Sequence, residues 1–174
     1  MEEVIIKKEP SKISEQQLPL IIFKLGSEEY GIKIEQVKEV TITPKITPMP
    51  KTPGFIRGVT NIRGEIIAVV DLEEKFNIRK TEKEERSKHT YTLVVERENF
   101  TIGIIVKEVP QTLTLSASQI DKSPTLLHDF HINEKFIDGI GKVGNRLIIL
   151  LDIHKILNFE EEKSIETMHD PHST

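Results

Sequence analysis

The densest run of residues able to do chemistry is His128-Asp129-Phe130-His131. On a helix its two imidazoles, spaced i,i+3, would share one face and could start a metal site. Pro124 argues against a helix there and no third ligand is obvious, so we read no metal centre. His89 precedes a strand-like run, His154 follows another, and His169 and His172 lie in a polar stretch. No serine sits in a Gly-x-Ser-x-Gly turn, and no His-Glu-x-x-His motif occurs. Gly58 to Gly64 lacks the Gly-Lys-Ser/Thr end and the following helix of a phosphate loop. The chain has no cysteine, which removes disulfides, zinc–thiolate and iron–sulfur centres and thiol nucleophiles. Glu73-Glu74-Lys75 reads as a solvated helix face. The reading is a protein without a catalytic site, metal or cofactor.

Binding is the class that remains. Arg63 stands in the turn Asn61-Ile62-Arg63-Gly64, beside two backbone-permissive positions, where five donors in a rigid fork can reach outward. Two readings of it are open: a contact to a partner, or an ion pair with a carboxylate of its own lobe. Arg57 and Glu39 are further directional candidates, and the β-branched residues from Ile32 to Val40 offer apolar area.

Composition sets the frame for these side chains. Of 174 residues, 37% are apolar and 30% charged, as in ordinary globular proteins. A net charge of −4 provides no electrostatic reason for nucleic acid or an anionic membrane as partner. Glu2 and Glu3 open the chain without the apolar core of a signal peptide, and no apolar run approaches the roughly 20 residues of a membrane helix. The expectation is a cytoplasmic protein with a flexible N-terminal tail over 1–17, a folded domain over 18–158 and a polar C-terminal tail over 159–174. Ile165 and Met168 leave that last tail able to become partly helical.

The elements that must position the candidates read as mostly β. Leu20 to Leu25 and Tyr30 to Ile34 form a hairpin across Gly26, Ser27 and Glu28. Val37 and Val40, three apart, suggest one helical turn. Pro44, Pro48, Pro50 and Pro53 mark an irregular crossing segment. Ile66 to Leu72 reads as a strand buried on both faces, and Thr81 to Lys88 as a solvated loop. Tyr91 to Val95 and Phe100 to Val106 make a second hairpin, Leu113 to Leu115 a short strand and Leu147 to Ile153 the last strand. His154 to Leu157 is expected to turn into a short helix.

The chain repeats itself. Gly31 to Val37 matches Gly103 to Val109; Phe55-Ile56-Arg57-Gly58-Val59 matches Phe136-Ile137-Asp138-Gly139-Ile140; and Ile66 to Leu72 matches Leu147 to Ile153. Each copy runs hairpin, crossing segment, Phe-Ile-x-Gly, turn, buried strand, Asp and short helix, and the copies meet near residues 78–90. A short sheet cannot bury its apolar face alone, so the expectation is all-β: two small barrels packed through a shared core, with a single sandwich as the alternative. Gly58 and Gly139 should serve the backbone, and Asp71 and Asp152 should cap. The copies part at the turn, where Lys142-Val143-Gly144-Asn145 replaces Asn61 to Gly64, and at Glu39, whose counterpart is Gln111.

These stretches, above all FIRGVTNIRGEIIAVVDL over 55–72 and the segment Phe23 to Ile32, closely resemble the CheW family of bacterial chemotaxis adaptors, over about residues 18 to 158. The resemblance implies two SH3-like β-subdomains. It also implies a non-catalytic coupler between transmembrane chemoreceptors, bound at their cytoplasmic tip, and the regulatory domain of a CheA-type histidine kinase, recruited to membrane-associated receptor arrays without entering the membrane. Carried over residue by residue, Arg63, Glu39, Val37, Gly58, Val109 and Thr112 match positions the family uses for partner contacts. Lys107 stands where family members often have Asp. The polar ends read as those of a free-standing protein rather than an excised kinase domain. The other reading is a CheW-like scaffold in a different two-component pathway, such as one for surface motility.

Overall fold

β-branched runs broken by glycine turns pair into hairpins, and a computed structural model describes the result for residues 16–78, 89–123 and 132–169. The strands are β1 (Gln17–Leu25), β2 (Glu28–Lys33), β3 (Val37–Ile42), β4 (Ile56–Ile62), β5 (Glu65–Val70), β6 (Tyr91–Glu96), β7 (Thr101–Val106), β8 (Gln111–Ser116), β9 (Ile120–Asp121), β10 (Ile137–Val143) and β11 (Arg146–Leu151). A four-residue helix α1 (Leu72–Lys75) follows β5, and α2 (Phe159–His169) ends the described chain. One sheet has the order β3-β6-β7-β5-β4 and forms a central lobe; the other, β8-β1-β2-β11-β10-β9, forms a terminal lobe. The 81–88 loop, His128, His131 and residues 1–15 lie outside the described residues.

The two lobes are not the two sequence copies. Each lobe combines the first hairpin of one copy with the bulged hairpin of the other. In the central lobe β5 pairs with β7 in parallel, Ala68 opposite Ile102; in the terminal lobe β11 pairs with β2 in parallel, Ile149 opposite Tyr30. These pairs are repeat equivalents, as are Glu39 opposite Val94 and Gln111 opposite Ile22. The molecule therefore has a pseudo-twofold relation between lobes, and the exchange of hairpins explains why neither half buries its surface alone.

Three apolar clusters follow from the period-2 alternation of the strands. Ile62, Ile67 and Val94 fill the central lobe, and Leu20, Ile22, Leu115, Ile148 and Leu150 fill the terminal lobe. The opposite faces meet in the large shared core, where Phe23, Tyr30, Phe76 and Phe136 stack in series at centroid distances of 6.2, 6.5 and 5.4 Å. Two lobes around one core is the expected architecture.

Several local expectations need correction. Val37 to Val40 is not a helical turn: a 3-10 turn covers Ile34–Gln36, and Val37–Ile42 is strand. A bulge between Val37 and Glu39 breaks the alternation that would have revealed it. Ile66 is not buried; it is 44% exposed beside the β4–β5 turn, and its repeat equivalent Leu147 is 46% exposed. His154 to Leu157 forms turns rather than a helix, with Asp152 Oδ1 accepting from His154 N at 3.0 Å. Glu73 is buried, not solvated, and Lys75 is nearly so.

The polar run beyond Phe159 forms α2, which leaves the terminal lobe and lies on the central one. Asn158 caps it by accepting from Glu161 N at 2.9 Å. Ile165 is fully buried in the shared core and Met168 packs against it. Lys75 Nζ contacts both oxygens of Glu161 at 2.9 and 2.8 Å and lies 4.4 Å from the centroid of the Phe55 ring. Arg97 pairs with Glu162.

Asp71 does cap, and does more. Its Oδ1 accepts from Glu74 N at 3.2 Å while Oδ2 accepts from Arg57 Nε and Nη2 at 2.9 and 2.6 Å. With 3% exposure it is a buried carboxylate held by a cap and a guanidinium. Asp71→Ala should lower stability by about 1–2 kcal/mol, the cap supplying most of it because Arg57 is half exposed. A urea midpoint unchanged from the parent would remove the capping role.

Candidate partner-binding faces

Arg63 and Gly64 are the two central residues of the β4–β5 hairpin, with φ of 53° and 85°. Positive φ at both positions suits the right-handed twist of the flanking strands. Asn61 Oδ1 closes the turn by accepting from Gly64 N at 2.9 Å. The repeat equivalent of Arg63 is Gly144, φ 58°, so an arginine stands in a left-handed position that the other copy gives to glycine. Its side chain is 81% exposed, and Nε donates to Glu39 Oε2 at 2.9 Å.

That ion pair crosses from the β4–β5 turn to β3, the first and last strands of the central sheet, and so lies on the seam where the barrel closes. Further along the seam Thr47 and Val59 exchange backbone hydrogen bonds at 2.8 and 2.9 Å. Lys38 adds weak pairs to Glu65 and Glu96 at 3.8 and 3.3 Å. An exposed pair contributes at most about 1 kcal/mol. On the same side of β3 as Lys38, Val40 is 40% and Ile42 63% exposed. One side of β3 thus carries Lys38 with the apolar Val40 and Ile42, while Glu39, on the alternate side, meets Arg63 across the seam.

The remaining candidates separate. Val37 packs against the shared core, and Gly58 is buried in a bulge. Arg57 is held by Asp71, and Ile32 is core. Val109, 63% exposed, and Thr112, exposed on β8, belong to the terminal lobe. By the repeat, Val109, Gln111, Thr112 and Thr114 stand where Val37, Glu39, Val40 and Ile42 stand in the central lobe. The surviving candidates therefore occupy pseudo-equivalent faces, one charged and apolar, the other neutral and mostly polar. Comparing Val40 and Ile42 with Thr112 and Thr114 would have disclosed this difference in the sequence.

The electrostatics favour recognition over proton transfer. Arg146 hydrogen-bonds Glu29 at 2.8 and 3.0 Å, holding that carboxyl below its ordinary range against a smaller opposing effect of burial, and Glu29 in turn raises Arg146. Asp121 is lowered by the Ser123 backbone N–H and then by Lys142. Burial pushes the Tyr30 phenol far above its usual value, helped by Glu28. Each of these shifts carries a pKa further from neutral pH, opposite to what an acid–base catalyst needs. Among the described residues no three His, Asp or Glu side chains could hold a metal, and no helix is long and apolar enough to cross a membrane.

Comparison with known proteins follows the same lines. Residues 19–161 match the family model described as a CheW-like domain. A chemotaxis protein CheW from Klebsiella aerogenes is 36% identical over 152 residues, covering 87% of this chain and 89% of that one. The chemotaxis protein CheW of Treponema pallidum is 28% identical over 163 residues, covering 93% and 95%. The crystal structure of the scaffolding protein TtCheW from Thermoanaerobacter tengcongensis superposes with a TM-score of 0.72 at 32% identity, covering 84% of this chain and 91% of that one.

Proposed function

The chain belongs to the CheW family of non-catalytic chemotaxis adaptors, which link receptors to a CheA-type kinase, and from that premise we propose that its two lobes carry two docking faces for two different partners. The observation that supports this is the pseudo-twofold pair of faces: Glu39, Arg63, Val40 and Ile42 on β3 and its seam, and Val109 just before β8 with Gln111 and Thr112 on it. Two copies of one surface with unlike chemistry suit a bridge between unlike proteins. The partners are the regulatory domain of the kinase and the cytoplasmic tip of a chemoreceptor, and recruitment to the receptor array follows from the second contact. Receptor rearrangement then changes how the kinase sits on the adaptor, which is a population shift transmitted by contact.

Calorimetric titration of the full chain with each purified partner tests the assignment. Both should bind, Glu39→Lys should weaken one of them about tenfold or more and Val109→Asp the other. Failure of both partners to bind the folded chain, or loss of the same partner in both variants, would overturn the two-face reading.

A further inference from the structure

Glu73 has no place in the partner faces, yet it is 6% exposed, a burial that carboxylates tolerate only when fully engaged. Its Oε2 accepts from Gly26 N, in the β1–β2 turn of the terminal lobe, at 2.9 Å. Its Oε1 lies 3.1 Å from Lys107 Nζ, just after β7 of the central lobe. Lys107 opens the four-residue crossover that carries the chain from β7 to β8, followed by Glu108, Val109 and Pro110. Glu108 in turn reaches Lys24 of β1 at 3.7 Å. One buried carboxylate thus ties both lobes to the base of the segment that presents Val109.

We infer that Glu73 and Lys107 are positioning residues for the terminal-lobe face, holding the crossover from beneath so that Val109 and Thr112 meet a partner in one geometry. Val109 is mostly solvent-exposed and little packing holds it, so its place depends on the residues before it. The equivalent crossover, from β2 to β3, is built otherwise. The counterpart of Lys107 there is Glu35, exposed on the 3-10 turn, and the counterpart of Glu73 is His154, whose Nδ1 lies 2.7 Å from Arg97 Nη1. The Glu73–Lys107 latch therefore acts on one face and leaves the other alone. This rests on the reading of Val109 and Thr112 as a partner face.

The test compares K107R, which keeps the cation, with E73Q/K107M, which keeps an acceptor for Gly26 N and removes both charges of the pair together. Val109→Asp identifies the partner of that face. E73Q/K107M should weaken that partner about tenfold and spare the other, with K107R close to the parent. Amide exchange at Gln111, where β8 starts to pair with β1, should speed up about tenfold in E73Q/K107M, with or without partner present. Unchanged exchange, or equal weakening of both partners with a lowered melt, would overturn the latch as a positioning device. Faster exchange with no partner affected by Val109→Asp would instead leave the latch standing and remove the face.

Discussion

Gly58→Ala is expected to cost roughly 3 kcal/mol or more of folding stability, the sum of a left-handed backbone and a steric conflict. Gly58 lies in the β4 bulge at φ 141°. A Cβ there would fall 2.1 Å from the carbonyl oxygen of Thr47 and 2.9 Å from Cα of Pro48. Both are backbone atoms of the proline-rich strap, and the strap is held in place by the Thr47–Val59 bonds and by Thr60 Oγ1 donating to Lys45 O at 2.9 Å. It cannot yield without opening the seam that brings Arg63 to Glu39.

Two other glycines separate the contributions. Gly64 has φ 85° and nothing within 4 Å of its added Cβ, so Gly64→Ala should show the backbone cost alone, about 1 kcal/mol. Gly139 is the repeat equivalent of Gly58, but its nearest neighbour is a side-chain atom, Ile120 Cγ2 at 3.0 Å, which a rotamer change can move. Urea midpoints should therefore fall in the order Gly58→Ala, then Gly139→Ala, then Gly64→Ala. Equal midpoints for the Gly58 and Gly64 variants would mean that the strap moves freely and carries no part of the barrel closure.

What the sequence discloses, and what it hides, divides along the same physical line. The repeat exposes Gly58 and Gly139, because a glycine kept in two copies at matched places implies backbone geometry. It exposes Arg63 for the opposite reason, since its counterpart is a glycine. Apolar alternation locates most strands, and the two-lobe architecture follows. Interactions between residues distant in sequence leave no such trace. Glu73 and Lys107 are joined through the fold, and a four-residue helix has no periodicity to show that Glu73 points inward. α2 reads as a polar tail because ion pairs from Glu161 and Glu162 to Lys75 and Arg97 share its docking with Ile165 and Met168. The exchange of hairpins between copies is equally silent, because either arrangement uses the same strands.

Arg63→Gly should separate stability from binding more cleanly than any other substitution on the central-lobe face. Arginine at φ 53° costs about 1 kcal/mol or more of backbone energy that glycine would not. Against that gain stand the extra freedom of glycine in the unfolded chain, about 0.5–1 kcal/mol, and loss of an exposed ion pair to Glu39 contributing at most about 1 kcal/mol. The net change in stability should stay within about 1 kcal/mol of zero. Binding should not be spared. A protruding arginine, 81% exposed with its Nε on Glu39, is a residue type enriched in interface hot spots, and its removal should raise the Kd of the partner on that face about 30-fold, or roughly 2 kcal/mol. Arg63→Ala retains the backbone strain and should bind as poorly while melting lower than Arg63→Gly. If Arg63→Gly binds both partners like the parent, the residue serves only to pair with Glu39 across the seam. A clear loss of stability in both variants would then be the expected companion, because the ion pair would be closing the barrel. Stability kept and affinity lost would instead mean that the strained turn persists because it holds an arginine where a partner needs one.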